Sequence, residues 1–119
     1  MPIGKEQRKQ LVREYEERKK LIGVFAIRNK VTGKIFLDRT MNLGVAFNKH
    51  RFQLNMGSHP KKEMQSDWTK YGEENFFYEA IEALENAPED PKEISKELNA
   101  LMELCREKLV ETPDVNGFY

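Results

Sequence analysis

The sequence predicts a small α/β domain of the α+β type, in which three antiparallel strands form one sheet flanked by helices. Residues 23–27 and 34–38 are rich in β-branched and aromatic side chains, and the polar stretch 28–33 between them is typical of a β-hairpin turn. A third aromatic segment, 75–81, follows two segments of helical periodicity. The predicted order of elements is therefore αββααβα.

The composition indicates one folded domain. The chain has 119 residues, of which 39% are hydrophobic and 34% charged, so it can bury one core but not two independent ones. Its only cysteine, Cys105, excludes an intrachain disulfide. It opens on charged residues and has no run of about 18 apolar residues, so we expect a cytoplasmic protein without a membrane partner.

The charges are distributed unevenly although the formal net charge is zero. Residues 21–62 carry an excess of Lys and Arg, whereas residues 63–119 carry an excess of Asp and Glu. One interpretation is a basic surface for DNA or another nucleic acid along the segment 28–62. The other is that the two halves fold together and the charges only solvate opposite faces.

The N-terminal segment predicts an amphipathic helix over about 5–21. Leu11, Tyr15 and Ile22 recur at helical spacing, but this apolar stripe is thin. We therefore interpret residues 1–21 as an extension that packs on the domain 22–119 or forms a homodimer contact.

The remaining elements carry local start and stop signals. Asn42 is a predicted N-cap, Pro60 is predicted in the first turn of a helix, and Gly72 is predicted to end that helix. The predicted ranges are 22–39 for the hairpin and 43–54, 60–71 and 91–110 for the helices. Four aromatic residues are predicted to lie in the core: Trp68, Tyr71, Phe76 and Phe77.

The order and spacing of these features resemble the GIY-YIG nuclease family. In that family a Gly-Ile-Tyr strand precedes a Tyr-Ile-Gly strand by about ten residues, an Asn-Leu pair opens a helix that carries Arg and often His, and an aromatic strand and a late helix with a metal-binding Glu follow. The chain matches this pattern from Gly23 to about Tyr119. The matching positions are Asn29, Gly33, Lys34, Asn42, Leu43, His50, Trp68, Tyr71, Gly72, Glu74, Asn75, Phe76, Asn116, Gly117 and Phe118.

The resemblance also implies which residues would carry the chemistry, and most of them are replaced. The two family tyrosines, which help to position or deprotonate the attacking water, match Phe25 and Phe36, and neither side chain can transfer a proton. The family arginine, which neutralises the scissile phosphate, matches Ala46. His50 is the remaining match. The resemblance therefore implies a catalytically degenerate domain that works as a non-enzymatic binding module and needs no cofactor.

A divergent but active metal-dependent endonuclease remains the alternative. It would recruit Tyr71 or Tyr78, together with Arg39 and a late glutamate, and it would use Mg²⁺ or Mn²⁺. The metal-binding glutamate of the family matches Glu103 in one register of the last helix and Cys105 in another.

Several residues have both a functional and a structural interpretation. A phosphate-binding surface would use Lys34, Arg39, Lys49, His50 and Arg51, whereas His50 as an ordinary half-buried helix residue is the structural alternative.

Phe25 and Phe36 could form a platform for base stacking, but the favoured interpretation is that their rings fill the former polar pocket. His59 is interpreted as a loop residue. The two histidines lack other ligands at zinc-binding spacing. Cys105 reads as a buried small hydrophobe.

Overall fold

A computed structural model describes residues 21–84 and 87–119. The described elements are β1 (Gly23–Asn29), β2 (Ile35–Thr40), α1 (Leu43–Asn55), α2 (Lys62–Tyr71), a 3₁₀ turn (Glu73–Asn75), β3 (Phe76–Ala83) and α3 (Pro91–Val110). This order confirms the predicted α+β class and the ββααβα part of the chain. The helix predicted over 5–21 lies outside the described residues except at its end, Leu21.

The sheet is antiparallel and has the order β2-β1-β3. The hairpin turn closes where the Asn29 amide donates to the Lys34 carbonyl at 2.9 Å, and Gly33 adopts a positive φ of 80° that favours glycine. The Asn29 side-chain oxygen also accepts from the Val31 amide at 2.9 Å. The predicted hairpin is thereby confirmed.

The sheet is covered on both faces, so each strand divides its side chains between two clusters. The first cluster faces α1 and α2, and the second faces α3. The buried members of the first are Phe25, Ile27, Phe36, Leu43, Ala46, Leu54, Met64, Trp68 and Phe76. Those of the second are Val24, Ala26, Ile35, Leu37, Cys105 and Leu109. Because successive strand residues point to opposite faces, the central strand β1 supplies both clusters.

The helix starts follow local capping chemistry. The Asn42 side chain accepts from the Gly44 amide at 3.1 Å, and the Asp90 side chain accepts from the Lys92 amide at 2.9 Å, with Pro91 as the first residue of α3. The predicted ranges 43–54 and 91–110 therefore agree closely with α1 and α3.

The predicted start of the second helix at Pro60 is wrong. The helix α2 begins at Lys62, because Lys61 has an extended backbone and its amide donates to the His59 ring at 3.0 Å. The turn before α2 is therefore stabilised by a hydrogen bond to the His59 side chain and not by a helical hydrogen bond. At its other end α2 stops at Gly72, as predicted, with a φ of 91°.

The four aromatic residues predicted for the core differ in burial. Trp68 and Phe76 are buried, and Tyr71 is half-buried. The prediction for Phe77 is wrong, since 38% of it is exposed. It follows Phe76 on the edge strand β3, so it points to the opposite face of the sheet.

The C-terminal tail forms backbone hydrogen bonds with the first residue of β2. The Ile35 amide donates to the Gly117 carbonyl at 3.1 Å, and the Tyr119 amide donates to the Ile35 carbonyl at 2.9 Å. The Tyr119 hydroxyl donates to the Asp67 carboxylate at 2.8 Å and accepts from the Asn29 side-chain amide at 2.9 Å. Burial raises the pKa of Tyr119 to about 12. The tail thus connects β1, β2 and α2.

None of the described helices combines the length and apolar character that crossing a membrane requires.

Substitution of Tyr119 by Phe should lower the free energy of unfolding by about 2 kcal/mol, because it removes a donor to a carboxylate and an acceptor for the buried Asn29 amide. Urea unfolding followed by Trp68 fluorescence measures the change. Tyr71→Phe is the matched control, since the Tyr71 hydroxyl makes no hydrogen bond to the described residues, and it should cost under about 0.5 kcal/mol. Equal losses in the two variants would contradict the tail contact.

Candidate functional site

One candidate site is a groove of about 530 Å³ beside β2 and the loop between α1 and α2. It is called the histidine groove below. Its lining residues are Phe36, Leu37, Asp38, Lys49, His50, Gln53, His59, Pro60 and Lys61. It contains two residues at which the family resemblance locates catalytic groups, Phe36 and His50, so it is the place to test for retained chemistry.

Phe25 and Phe36 form the floor of this region and belong to the core. They are 1% and 6% exposed, on the same face of the sheet, and their ring centroids are 6.2 Å apart. The favoured interpretation of the sequence, that these rings fill the former polar pocket, agrees with this burial. Neither ring offers a free face on which a base could stack.

His50 and His59 form a contact pair above these rings. His50 Nδ1 lies 2.8 Å from His59 Nε2, and the His50 ring centroid lies 5.4 Å from that of Phe25 and 5.1 Å from that of Phe36. His59 lies in a loop, as predicted, but it is only 4% exposed and contacts His50. The pair could not be predicted from the sequence, because nine positions and a chain reversal separate the two rings.

The hydrogen bonds assign the proton positions of both rings. The Lys61 amide donates to His59 Nδ1, so a neutral His59 carries its hydrogen on Nε2. His59 Nε2 then donates to His50 Nδ1, and a neutral His50 carries its hydrogen on Nε2. The chain of bonds therefore runs in one direction, from the Lys61 backbone to the His50 ring.

Both histidines favour the neutral form. Burial lowers the pKa of His50; the nearby Asp38 carboxylate raises it and Lys49 lowers it, both by smaller amounts. Burial, His50, Lys49 and Lys61 together lower the pKa of His59 to about 4. A second proton on either ring would make two N–H groups face each other along this series of hydrogen bonds and would therefore disrupt it.

The same arrangement does not fit the divalent metal that the sequence resemblance implies. The Nδ1 lone pairs of His50 and His59 both accept hydrogen bonds, and both Nε2 atoms carry hydrogens. A ring nitrogen must offer a lone pair to ligate a metal. In addition, residues 21–84 and 87–119 contain no group of three or more His, Cys, Asp or Glu side chains that could hold an ion.

The residue that matches the family arginine, and one tyrosine of the alternative active site, both have structural contacts. Ala46 is 6% exposed within the first cluster, so a methyl group fills the place that the resemblance gives to the arginine. The Tyr78 hydroxyl donates to the Leu43 carbonyl at 2.7 Å, and burial raises its pKa. Tyr78 therefore stabilises the start of α1 and does not reach towards the groove as a free acid or base.

Glu103 and Arg39 lie apart from the histidine groove. Glu103 is exposed on α3, which packs on the opposite face of the sheet, and it lies 3.9 Å from Arg106. Arg39 is paired with Val24 of the second cluster, so it also points away from His50. The structure therefore does not bring Glu103, Arg39 and Tyr78 together, as the divergent active site would require.

The predicted phosphate-binding cations are only partly available. Lys34 pairs with Glu63, which also raises the pKa of Lys34, and Arg51 pairs with Glu73. Lys49 is exposed and lines the groove. Lys61 belongs to the basic segment but was not among the predicted binding residues, and it also lines the groove. The two lysines are therefore the cations that accompany the histidine pair.

The stability of the protein should depend on pH through this pair. Because the fold favours neutral histidine, its contribution is complete above the unfolded pKa of about 6.5 and is lost as the pH falls towards the folded value of about 4. We expect the free energy of unfolding to drop by about 2 kcal/mol between pH 7 and 4.5 from His59 alone. Urea unfolding at stepped pH measures it, with His59→Gln as the comparison that removes this titration and leaves the carboxylates. Parallel pH profiles for the two proteins would contradict the assignment.

The comparisons with known proteins define the fold. No family model matches the chain, and no curated protein sequence matches it significantly. Among solved structures it is similar to the catalytic domain of the homing endonuclease I-TevI, with a TM-score of 0.56 and 19% identity over 81% of this chain and 96% of that one. A mutant of the catalytic domain of intron endonuclease I-TevI gives a TM-score of 0.57 and 19% identity over 75% and 88%. The chain thus has the fold of a GIY-YIG catalytic domain.

Proposed function

We propose that the domain is a catalytically degenerate GIY-YIG-like module that binds nucleic acid through the histidine groove without cleaving it. The observation that carries the proposal is the burial of Phe25 and Phe36 beneath the closed His50–His59 pair. Two rings and a satisfied hydrogen-bond chain occupy the positions at which the family resemblance implies proton transfer.

Phosphodiester cleavage needs an oriented nucleophile and stabilisation of developing negative charge. The phenylalanine rings can do neither, and Ala46 carries no charge. In the assigned tautomer His50 Nε2 bears a hydrogen, so it can donate to a phosphate oxygen but cannot accept a proton from water. His50 and the lysines of the groove are therefore suited to hold a phosphate, and neither the histidine pair nor the phenylalanine rings can activate a nucleophile beside it.

The charges of the groove support nucleic acid as the partner. Lys49 and Lys61 line it together with His50, and Asp38 is the only carboxylate among its lining residues. Lysine ammonium groups bind phosphates as point charges. Fold neighbours that are homing endonucleases point to DNA as the nucleic acid. We place this activity in the cytoplasm, and a homodimer contact through residues 1–21 stays a prediction.

The first prediction concerns the two lysines. The double substitution Lys49→Ala and Lys61→Ala should weaken DNA binding and reduce the dependence of log K on log salt by about 1 to 2, since each lysine that contacts a phosphate releases counterions. Fluorescence anisotropy titrations at several salt concentrations measure both quantities.

The matched control is Lys96→Ala with Lys108→Ala, which removes the same charge from exposed positions of α3 on the other side of the sheet. It should leave the salt dependence near that of the wild type. An equal loss in the two double variants would show that only net charge matters and would contradict a specific groove.

The second prediction concerns cleavage. The purified protein should not cleave single-stranded or duplex DNA in the presence of Mg²⁺ or Mn²⁺, because neither histidine of the groove is free to accept a proton and the described residues contain no group of three or more metal-binding side chains. Gel analysis of labelled DNA after prolonged incubation checks this. Metal-dependent cleavage that His50→Ala or Glu103→Ala abolishes would overturn the degenerate assignment and restore the divergent endonuclease.

A further inference from the structure

A second candidate site lies around Phe77, on the sheet face opposite to the histidine groove. This ring is 38% exposed on the edge strand β3. The Lys30 ammonium lies 5.5 Å from its centroid and the Arg28 guanidinium carbon lies 5.9 Å from it. The exposed ring therefore has two cations within cation–π distance.

These side chains line a groove of about 350 Å³, called the aromatic groove below. It lies at the hairpin end of the sheet, with Gly33 and Asp114 at its rim. Arg28 is paired with Phe77 across the strands and with Ile35 of the second cluster, so the aromatic groove opens on the second face. The site is therefore separate from the histidine groove.

The two cations are held differently. Arg28 Nε lies 2.7 Å from the Glu79 carboxylate but without the geometry of a hydrogen bond, and 20% of the Arg28 side chain is exposed, so the guanidinium lies beside the ring and is mostly covered. Lys30 is exposed, and among the described residues no carboxylate pairs with it. Its backbone amide is anchored to the Asn75 carbonyl at 2.8 Å. The groove thus combines two flat groups, the Phe77 ring and the Arg28 guanidinium, with the long cationic side chain of Lys30.

The mixture of charges restricts the class of ligand. Glu79 and Asp114 offset Arg28 and Lys30, so the groove does not favour a simple inorganic anion. An aromatic ring and a guanidinium plane are the surfaces on which unpaired bases stack, and an adjacent ammonium can neutralise the phosphate of the same nucleotide. Bases within a duplex already stack on each other, so their faces are not available.

We infer that the aromatic groove binds an unpaired nucleotide of a single strand, with its base against Phe77 and its phosphate at Lys30. This inference rests on the proposed nucleic-acid binding function and adds a second contact on the other face of the sheet. It also specifies the substrate class as single-stranded nucleic acid.

The test compares Phe77→Leu with Phe77→Trp. Both keep an apolar residue on β3, but only Trp keeps a π face. With a short fluorescein-labelled single-stranded DNA in anisotropy titrations, Phe77→Leu should bind about tenfold more weakly than wild type, whereas Phe77→Trp should bind at least as tightly. Binding of a blunt duplex should be unchanged in both variants. Equal urea unfolding midpoints verify that each variant is folded.

Lys30→Gln provides a second variant on the exposed turn. It should weaken single-strand binding and reduce the salt dependence by about 0.7, the value for one phosphate contact on a single strand. If Phe77→Leu is less stable than wild type, this variant carries the test.

The outcomes separate the two proposals. Wild-type affinity of Phe77→Leu and Lys30→Gln for the single strand, combined with weak binding by the Lys49→Ala and Lys61→Ala variant, would overturn the aromatic groove and leave the proposed function intact. An equal loss on duplex and single strand would overturn the single-strand assignment. A wild-type protein that binds neither DNA would overturn the proposed function itself.

Discussion

The two-sided burial of β1 is the constraint on which the rest of this structure depends. Val24, Phe25, Ala26 and Ile27 are each exposed by 1% or less, so the central strand is buried on both faces. An antiparallel sheet of three strands can meet this requirement only if helices cover both faces, and α1 and α2 cover one while α3 covers the other. The sheet face on which a side chain lies decides which groove it can line. It also decides which other residues it can act with.

This constraint also decides which side chains fit at position 25. A tyrosine at position 25 would place a hydroxyl in a region that is 1% exposed, where it would need a partner to avoid a cost of about 1 to 3 kcal/mol. Phenylalanine removes that need, and the neighbouring histidines satisfy each other instead of a hydroxyl. Above the packed rings, the two histidines form a hydrogen-bond chain of fixed direction. The tautomer of His50 is thereby decided at Lys61, which lies outside α1.

The sequence predicted the elements that local chemistry determines. The hairpin, the Asn42 cap and the Asp90-Pro91 start of α3 each depend on a few neighbouring residues, and all agree with the structure. The sequence did not predict the burial of His59 or the exposure of Phe77, because distant parts of the chain determine both. His59 contacts a ring on α1, and Phe77 lies on an edge strand. For the same reason the late helix could not be aligned with the family, since the side of α3 that meets the sheet is set by packing and not by spacing alone.

The tail contact of Tyr119 has a consequence for the order of folding. The Asn29 amide, which is 1% exposed at the end of the central strand, finds its principal acceptor ninety positions later in the chain. During synthesis the hairpin and the first helices can therefore assemble while the Asn29 amide has only the Asp67 carboxylate, at 3.5 Å, as an acceptor. Contacts of such sequence separation are costly in chain entropy and form late. Before the tail docks, the three strands can already pair while the Ile35 end of β2 is open at the sheet edge, and open strand ends are the kind of surface that pairs with other unfinished chains.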